Sequence, residues 1–118
     1  MNKAQALNDF WSSFGIPAYE QNSVPDGAKL PYITYETAIS SFGEPTVINA
    51  SLWDKSTSWQ TVQQKADSIM TALNNGGFVS TDNRFWVKMA TPFQQRLAEP
   101  EDYDIRRIVL NLEIEYLQ

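Results

Sequence analysis

The chain reads as an α+β domain, a two-layer fold in which a mostly antiparallel or mixed sheet of four to five strands packs against two helices. Two segments carry apolar residues at helical spacing, and several short segments are dense in aromatic and β-branched residues. A final segment places an apolar residue at every second position from Ile108 to Tyr116. The element order is α, β, β, α, β, β, β, and 118 residues hold one domain, 1–118, with no room for a second core.

Leu7, Phe10, Trp11 and Phe14 line one helical face, and Gly15 with Pro17 supplies a stop, so a first helix is predicted over about 3–14. Ile16-Pro17 through Val24-Pro25-Asp26-Gly27 to Pro31 is rich in turn formers and predicts a loop. Pro31 to Thr37 then reads as a strand, with Pro tolerated at its first position. After a connection at Ser40 to Pro45, Thr46 to Trp53 reads as a second strand, antiparallel to the first.

Thr57-Ser58-Trp59-Gln60 matches a capping box and predicts a helix start. Trp59, Val62, Ala66, Ile69, Met70 and Leu73 form the apolar stripe of that helix. Gln63, Gln64, Lys65 and Asp67 form its wet side, and Asn75-Gly76-Gly77 closes it. Phe78-Val79-Ser80 reads as a small strand and Asp82-Asn83 as a tight turn into a strand over Arg84 to Ala90. Thr91-Pro92 is expected to end that strand, leaving a charged loop through Asp104. The last strand buries Ile108, Leu110, Leu112, Ile114 and Tyr116 and turns Val109, Asn111, Glu113 and Glu115 mostly toward water. It runs to Tyr116 and Leu117, which builds this end of the chain into the sheet.

Composition excludes a good deal of chemistry. With no cysteine and no histidine, disulfides, thiolate zinc sites, cysteine nucleophiles, Ser-His-Asp triads and imidazole ligands are all unavailable. Nine Lys and Arg against fourteen Asp and Glu leave a net charge of -5, which argues against phosphate-driven nucleic-acid binding, and no basic recognition helix is present. Neither a secretory signal nor an apolar run of membrane-spanning length is visible, so a soluble protein is expected.

The chemistry-bearing candidates are few. Glu113 and Glu115 share a strand face about 7 Å apart, but a solvated sheet face explains them better than a glycosidase pair, whose carboxyls need contrasting environments in a cleft. Glu99, Glu101, Asp102 and Asp104 lack the glycine and terminal bidentate Glu of a calcium loop. Gly76-Gly77 follows a helix, where a phosphate cradle would precede one. Trp11, Phe14 and Trp59 fall on helical stripes and read as core, whereas Trp53 and Trp86 sit beside polar neighbours, and one of them is a candidate for exposure at an interface. No catalytic residue, cofactor or metal ligand is assigned.

Several segments taken together resemble a known family. They are the N-terminal amphipathic helix, Pro-Asp-Gly-Ala-Lys-Leu-Pro-Tyr-Ile-Thr-Tyr-Glu from Pro25 to Glu36, the Leu52-Trp53 strand end, the helix with Trp59, Ala66, Ile69 and Leu73, and the terminal Arg-Arg-Ile-Val-Leu-Asn-Leu-Glu-Ile strand. They look like the minor structural proteins of long-tailed bacteriophages, in particular the tail-terminator (tail-completion, neck) family of phages and prophages of Gram-positive bacteria. The likeness spans nearly the whole chain in the order of its elements.

The resemblance implies a non-enzymatic virion protein, assembled in the host bacterial cytoplasm. It would form a ring, commonly a hexamer, that caps the tail tube and presents a docking surface to the head connector. The implied partners are further copies of the chain, the tail tube protein and a head-completion or connector protein, with no specific nucleic-acid binding and no membrane. Interaction regions would be the Ala38 to Pro45 connection and the Thr91 to Asp104 loop, with Phe42, Glu44, Phe93, Gln95, Arg96 and Tyr103 as interface candidates. Two other classes fit the residues: a ligand- or peptide-binding module that uses exposed aromatics, and a hydrolase built on carboxylates alone.

Overall fold

A computed structural model describes residues 2–39, 41–74, 76–80, 84–99, 102 and 104–117, the side chain of Ala98 apart. It is an α+β fold with two helices on one face of a single six-stranded sheet, one or two strands more than the sequence suggests. The elements are α1 (Lys3–Ser12), β1 (Ala18–Glu20), β2 (Tyr32–Tyr35), β3 (Pro45–Lys55), α2 (Gln60–Leu73), β4 (Phe78–Val79), β5 (Phe85–Ala98) and β6 (Ile105–Tyr116). The sheet order is β1-β2-β3-β6-β5-β4. The shortest dimension of the molecule, 22 Å, suits one sheet and one helical layer.

The order α-β-β-β occurs twice, and the two sets of strands meet at the central β3/β6 pair. That pair is antiparallel and registered from Pro45 opposite Glu115 to Lys55 opposite Ile105. All other pairings are antiparallel except β1 with β2, which is parallel and makes the sheet mixed.

Register assigns the faces, because directly opposed residues point the same way. Ile48, Ala50 and Leu52 of β3 lie opposite Leu112, Leu110 and Ile108 of β6, and all are buried under the helices. The stripe of α2 supplies Val62, Ala66, Ile69 and Leu73 to this core, with Met70 and Trp59 partly buried at its margin. From α1 come Leu7, Phe10 and Trp11. Phe10 packs edge-on against Phe85 at 6.2 Å and lies 5.1 Å from Phe78, while Trp11 stacks on Tyr35 at 6.2 Å. One helix thereby grips strands from both halves of the sheet.

Local chemistry explains the element ends. Asn2 and Gln5 form a reciprocal capping box on α1, the side chain of each taking the other's backbone N–H. The box expected at Thr57 to Gln60 is not formed. Ser56 Oγ accepts the Ser58 N–H, Ser58 Oγ accepts the Gln60 N–H, and the Thr57 carbonyl accepts a bond from Arg106. Ser58 thereby takes the Gln60 N–H that the Thr57 hydroxyl would have taken, and α2 starts at Gln60 with Trp59 at its cap position. Lys65, assigned to the wet side, reaches the Phe14 carbonyl at 2.6 Å, where a cation suits the C-terminal end of α1. At Gly77 φ is +94°, and an added Cβ would run into the Val87 carbonyl oxygen and the Trp86 indole nitrogen.

Two segments depart from the sequence reading. The turn-rich stretch after α1 contains β1, whose pairing with β2 no local pattern announces. The strand expected to stop at Thr91-Pro92 instead continues to Ala98 across a register shift. Met89 faces Leu112 and Gln94 faces Leu110, so β5 spends five residues where β6 spends two. Pro92 falls within this bulge, where no ladder donor is required of it. Its carbonyl accepts a bond from Asn111 Nδ2 at 2.8 Å, and buried Phe93 anchors the bulge to the core. The Asp82-Asn83 turn and Asn75 lie outside the described residues.

Replacing Leu110, fully buried in β6, by Ala is expected to cost about 2–5 kcal/mol. Val47→Ala on the opposite face, where Val47 is 69% exposed, should stay within about 0.5 kcal/mol. Urea denaturation midpoints at constant m would separate them.

Burial pushes the Tyr35 and Tyr116 hydroxyls above their ordinary pKa, for Tyr35 against a lowering by its bond from Asn8 and with Glu20 adding to the rise. A raised folded-state pKa gives stability that is complete below the unfolded value near 10 and lost as pH rises through the folded one. Thermal unfolding should therefore show a loss beginning near pH 10, shallower in Tyr35→Phe and in Tyr116→Phe.

Candidate functional site

The helices cover one face of the sheet, and the opposite face is the main candidate surface. Odd-numbered residues of β3 and β6 point there: Val47, Asn49, Ser51 and Trp53 beside Glu113, Asn111, Val109 and Arg107. Tyr32 and Thr34 of β2 extend it on one side, and Trp86, Lys88, Gln95 and Leu97 of β5 on the other. Val47, Val79 and Leu97 are exposed, and so are Ile39 and Phe42 in the connection before β3, Phe42 at 70%.

The six interface candidates do not gather into one surface. Phe42 and Glu44 sit in the turn before β3, where the Gly43 N–H donates to the Tyr116 carbonyl and positions the turn at the end of β6. Phe93, Gln95 and Arg96 belong to β5 and not to a loop, which corrects the Thr91 to Asp104 expectation. Pairing with β6 resumes beyond the bulge and orders the segment. Phe93 is 8% exposed and is core. Gln95 faces the uncovered side and accepts from Asn111 Nδ2 at 3.4 Å. Arg96 faces the helices, where its guanidinium donates to Gln63 Oε1 at 3.0 Å and lies 4.7 Å from the centre of the Trp59 ring. Tyr103 lies outside the described residues, as does Glu101.

Trp59 is held by a second guanidinium, that of Arg106, at 5.4 Å. Arg106 also donates to the Thr57 carbonyl at 3.0 Å, which ties the start of α2 to β6. Trp59 is thus a partly buried junction between strands and helix, a more exposed place than its stripe suggested.

The acids are dispersed. Glu99 lies 3.5 Å from Arg107, Asp102 lies 3.4 Å from Lys55, and Glu113 lies 3.7 Å from Lys88 across the strands. The Asp102 carboxyl is held below its ordinary pKa, chiefly by the Asp104 backbone N–H, with burial opposing and Lys55 adding to the lowering. Among the described residues no three carboxylates come together as a metal cluster, and no helix is long and apolar enough to cross a membrane.

A concave site lies on the uncovered face, a pocket of about 270 Å³ lined by Gln21, Val24, Tyr32, Thr34, Asn49, Ala50, Ser51, Trp53 and Arg107. Its central pair is Trp53 and Arg107, directly opposed on β3 and β6. The guanidinium lies over the indole, 4.5 Å from the ring centre, and its Nε–H donates to Ser51 Oγ at 3.1 Å. Trp53 Nε1–H in turn donates to Thr34 Oγ1 at 2.9 Å. Its polar neighbours had marked Trp53 as a candidate for exposure, but the sequence carries no signal for Arg107. Only the β3/β6 register brings residues 53 and 107 together. Trp86, the other candidate, is partly buried, with its Nε1–H on the Gly76 carbonyl at 2.7 Å and Lys88 over its ring at 4.4 Å.

No protein-family model, no curated protein and no solved structure matches the chain.

Arg96→Ala should cost about 0.5–1 kcal/mol through loss of the contact with Trp59. A double-mutant cycle with Trp59→Leu, read by urea denaturation, should return a coupling of that size, and additive effects would mean that the ring and the cation do not interact.

Proposed function

We propose that the chain is a non-enzymatic structural subunit of a phage or prophage particle. Copies associate in a ring, of hexamer type, that caps the tail tube at the head-tail junction and meets a head-completion or connector protein. What supports this reading beyond the family resemblance is the uncovered sheet face and the turn at its end. They expose Val47, Val79, Leu97, Ile39 and Phe42 on a chain of only 118 residues. Exposed apolar side chains spread over one face and a protruding turn suit a subunit that works by being contacted. The edge strands β1 and β4 are three and two residues long. Such short edges are poor templates for strand addition, so the contacts of a ring would come from the face and the turn.

Light scattering across a concentration series, with negative-stain images of the same peak, tests the proposal. A closed ring with a mass several times the 13.4 kDa of one chain is expected, alone or once purified tail tubes are added. Phe42→Asp combined with Val47→Lys, whose new charge faces Glu113 across the strands, should abolish the ring while changing the melting temperature by no more than a few degrees. A monomer that stays monomeric with tail tubes present would sink the idea.

The pocket beside Trp53 favours a second reading, a ligand- or peptide-binding module. Its signature would be a saturable response of the Trp53 indole to a small molecule.

A further inference from the structure

The pocket has one charged wall. Of the nine residues that line it, Arg107 alone is ionic, and the others offer hydroxyls, amides, the aliphatic groups of Val24 and Ala50 and the two aromatic surfaces of Tyr32 and Trp53. A guanidinium carries five N–H donors. The Arg107 Nε–H is taken by Ser51, and Nη1 reaches Glu99 at only 3.5 Å, a long contact with one carboxylate oxygen. Both donors on Nη2 are without a partner among the described residues. The Trp53 ring 4.5 Å away and the Nε bond to Ser51 hold the group in place, and a guanidinium held in place is preorganised for a carboxylate.

Size and charge narrow the ligand. About 270 Å³ lies just below the roughly 300–1,000 Å³ of pockets that hold drug-sized molecules. It suits a capped amino acid or an aromatic acid. A single positive charge, with Glu99 beside it in a chain of net charge -5, matches one negative charge better than the near-dianionic charge of a phosphate group.

We propose that this pocket is a carboxylate-binding site, in which Arg107 anchors the acid and Trp53 and Tyr32 flank the body of the ligand. The inference rests on the second reading above and holds whether or not the chain forms a ring. The carboxylate belongs either to a free small acid or to the terminus of a peptide. Glu99 acts as an internal competitor for the same guanidinium.

The test is an NMR titration of the ¹⁵N-labelled full chain. It follows the Trp53 indole N–H, assigned with Trp53→Phe, against N-acetyl-phenylalanine, its carboxamide, benzoate and inorganic phosphate. At least one of the two carboxylates should shift the Trp53 signal saturably, with an affinity ten-fold or more above those of the carboxamide and phosphate. Benzoate as the tighter ligand assigns the site to free acids, and N-acetyl-phenylalanine as the tighter ligand assigns it to chain termini. Arg107→Gln should erase the preference for acid over amide, Arg107→Lys should keep part of it, and Glu99→Gln should strengthen acid binding a few-fold. The Lys variant, which keeps the charge, serves if the Gln variant does not fold. Equal binding of acid and carboxamide, or a preference that survives in folded Arg107→Gln, would overturn the carboxylate assignment and leave a ligand pocket standing. No saturable response to any of the four overturns both the assignment and the binding-module reading.

Discussion

The antiparallel ladder between β3 and β6 is the constraint on which the rest of the molecule depends. It joins the two α-β-β-β halves and sets every other strand at a known distance from the centre. Its alternation also decides which residues meet the helices. With a side-chain period of two, a slip of one residue would turn one of the two strands over, sending either Ile48 and Leu52 or Ile108 and Leu112 to the uncovered face and bringing Asn49, or Asn111 and Glu113, under α2. Burying those amides and that carboxylate without partners would cost far more than the ladder could return. The apolar pattern of two long strands therefore fixes the register, and the register fixes the surface.

The same ladder helps to build two arginine-tryptophan clusters, on opposite sides of the sheet. Arg106 and Arg107 are consecutive in β6 and so point to opposite faces. Arg106 reaches Trp59 at the start of α2 and helps to hold the helix on the sheet. Arg107 reaches Trp53 on the open face and forms the wall of a pocket. Adjacent residues of one type take unlike roles because the pleat sends one to the packed layer and the other to solvent. One is a clamp between strand and helix, and the other lines the pocket of the open face.

The bulge in β5 is the main irregular feature of the sheet and has a clear physical function. The strand must carry Phe85 and Val87 to the core before it and Gln94 and Arg96 to the helix side after it, while accommodating a proline. The extra residues absorb Pro92, bury Phe93 and return the strand to register with β6. A proline that ends a strand in isolation can be carried by one when a neighbouring side chain, here Asn111, satisfies the interrupted backbone.

The elements legible in the sequence were those whose signal is local. The stripe of α2, the alternation of β6 and the aromatic run of β2 each report their own structure through the spacing of apolar residues, because burying one face is what stabilises them. The two-layer architecture follows from the same patterns, since two amphipathic helices and a one-faced sheet have no better way to hide their apolar sides. Only the tertiary structure decided the rest. β1 exists because β2 offers it an edge, and β5 runs past Pro92 because β6 continues to pair with it. Phe93, Gln95 and Arg96 looked like one loop and were divided by that pairing among the core, the open face and the helix side. Trp53 was visible as an unusual aromatic, but its pocket was not. Residues 53 and 107 are 54 positions apart, and hydrogen bonding between strands distant in sequence, rather than any motif within either, places a guanidinium over that indole.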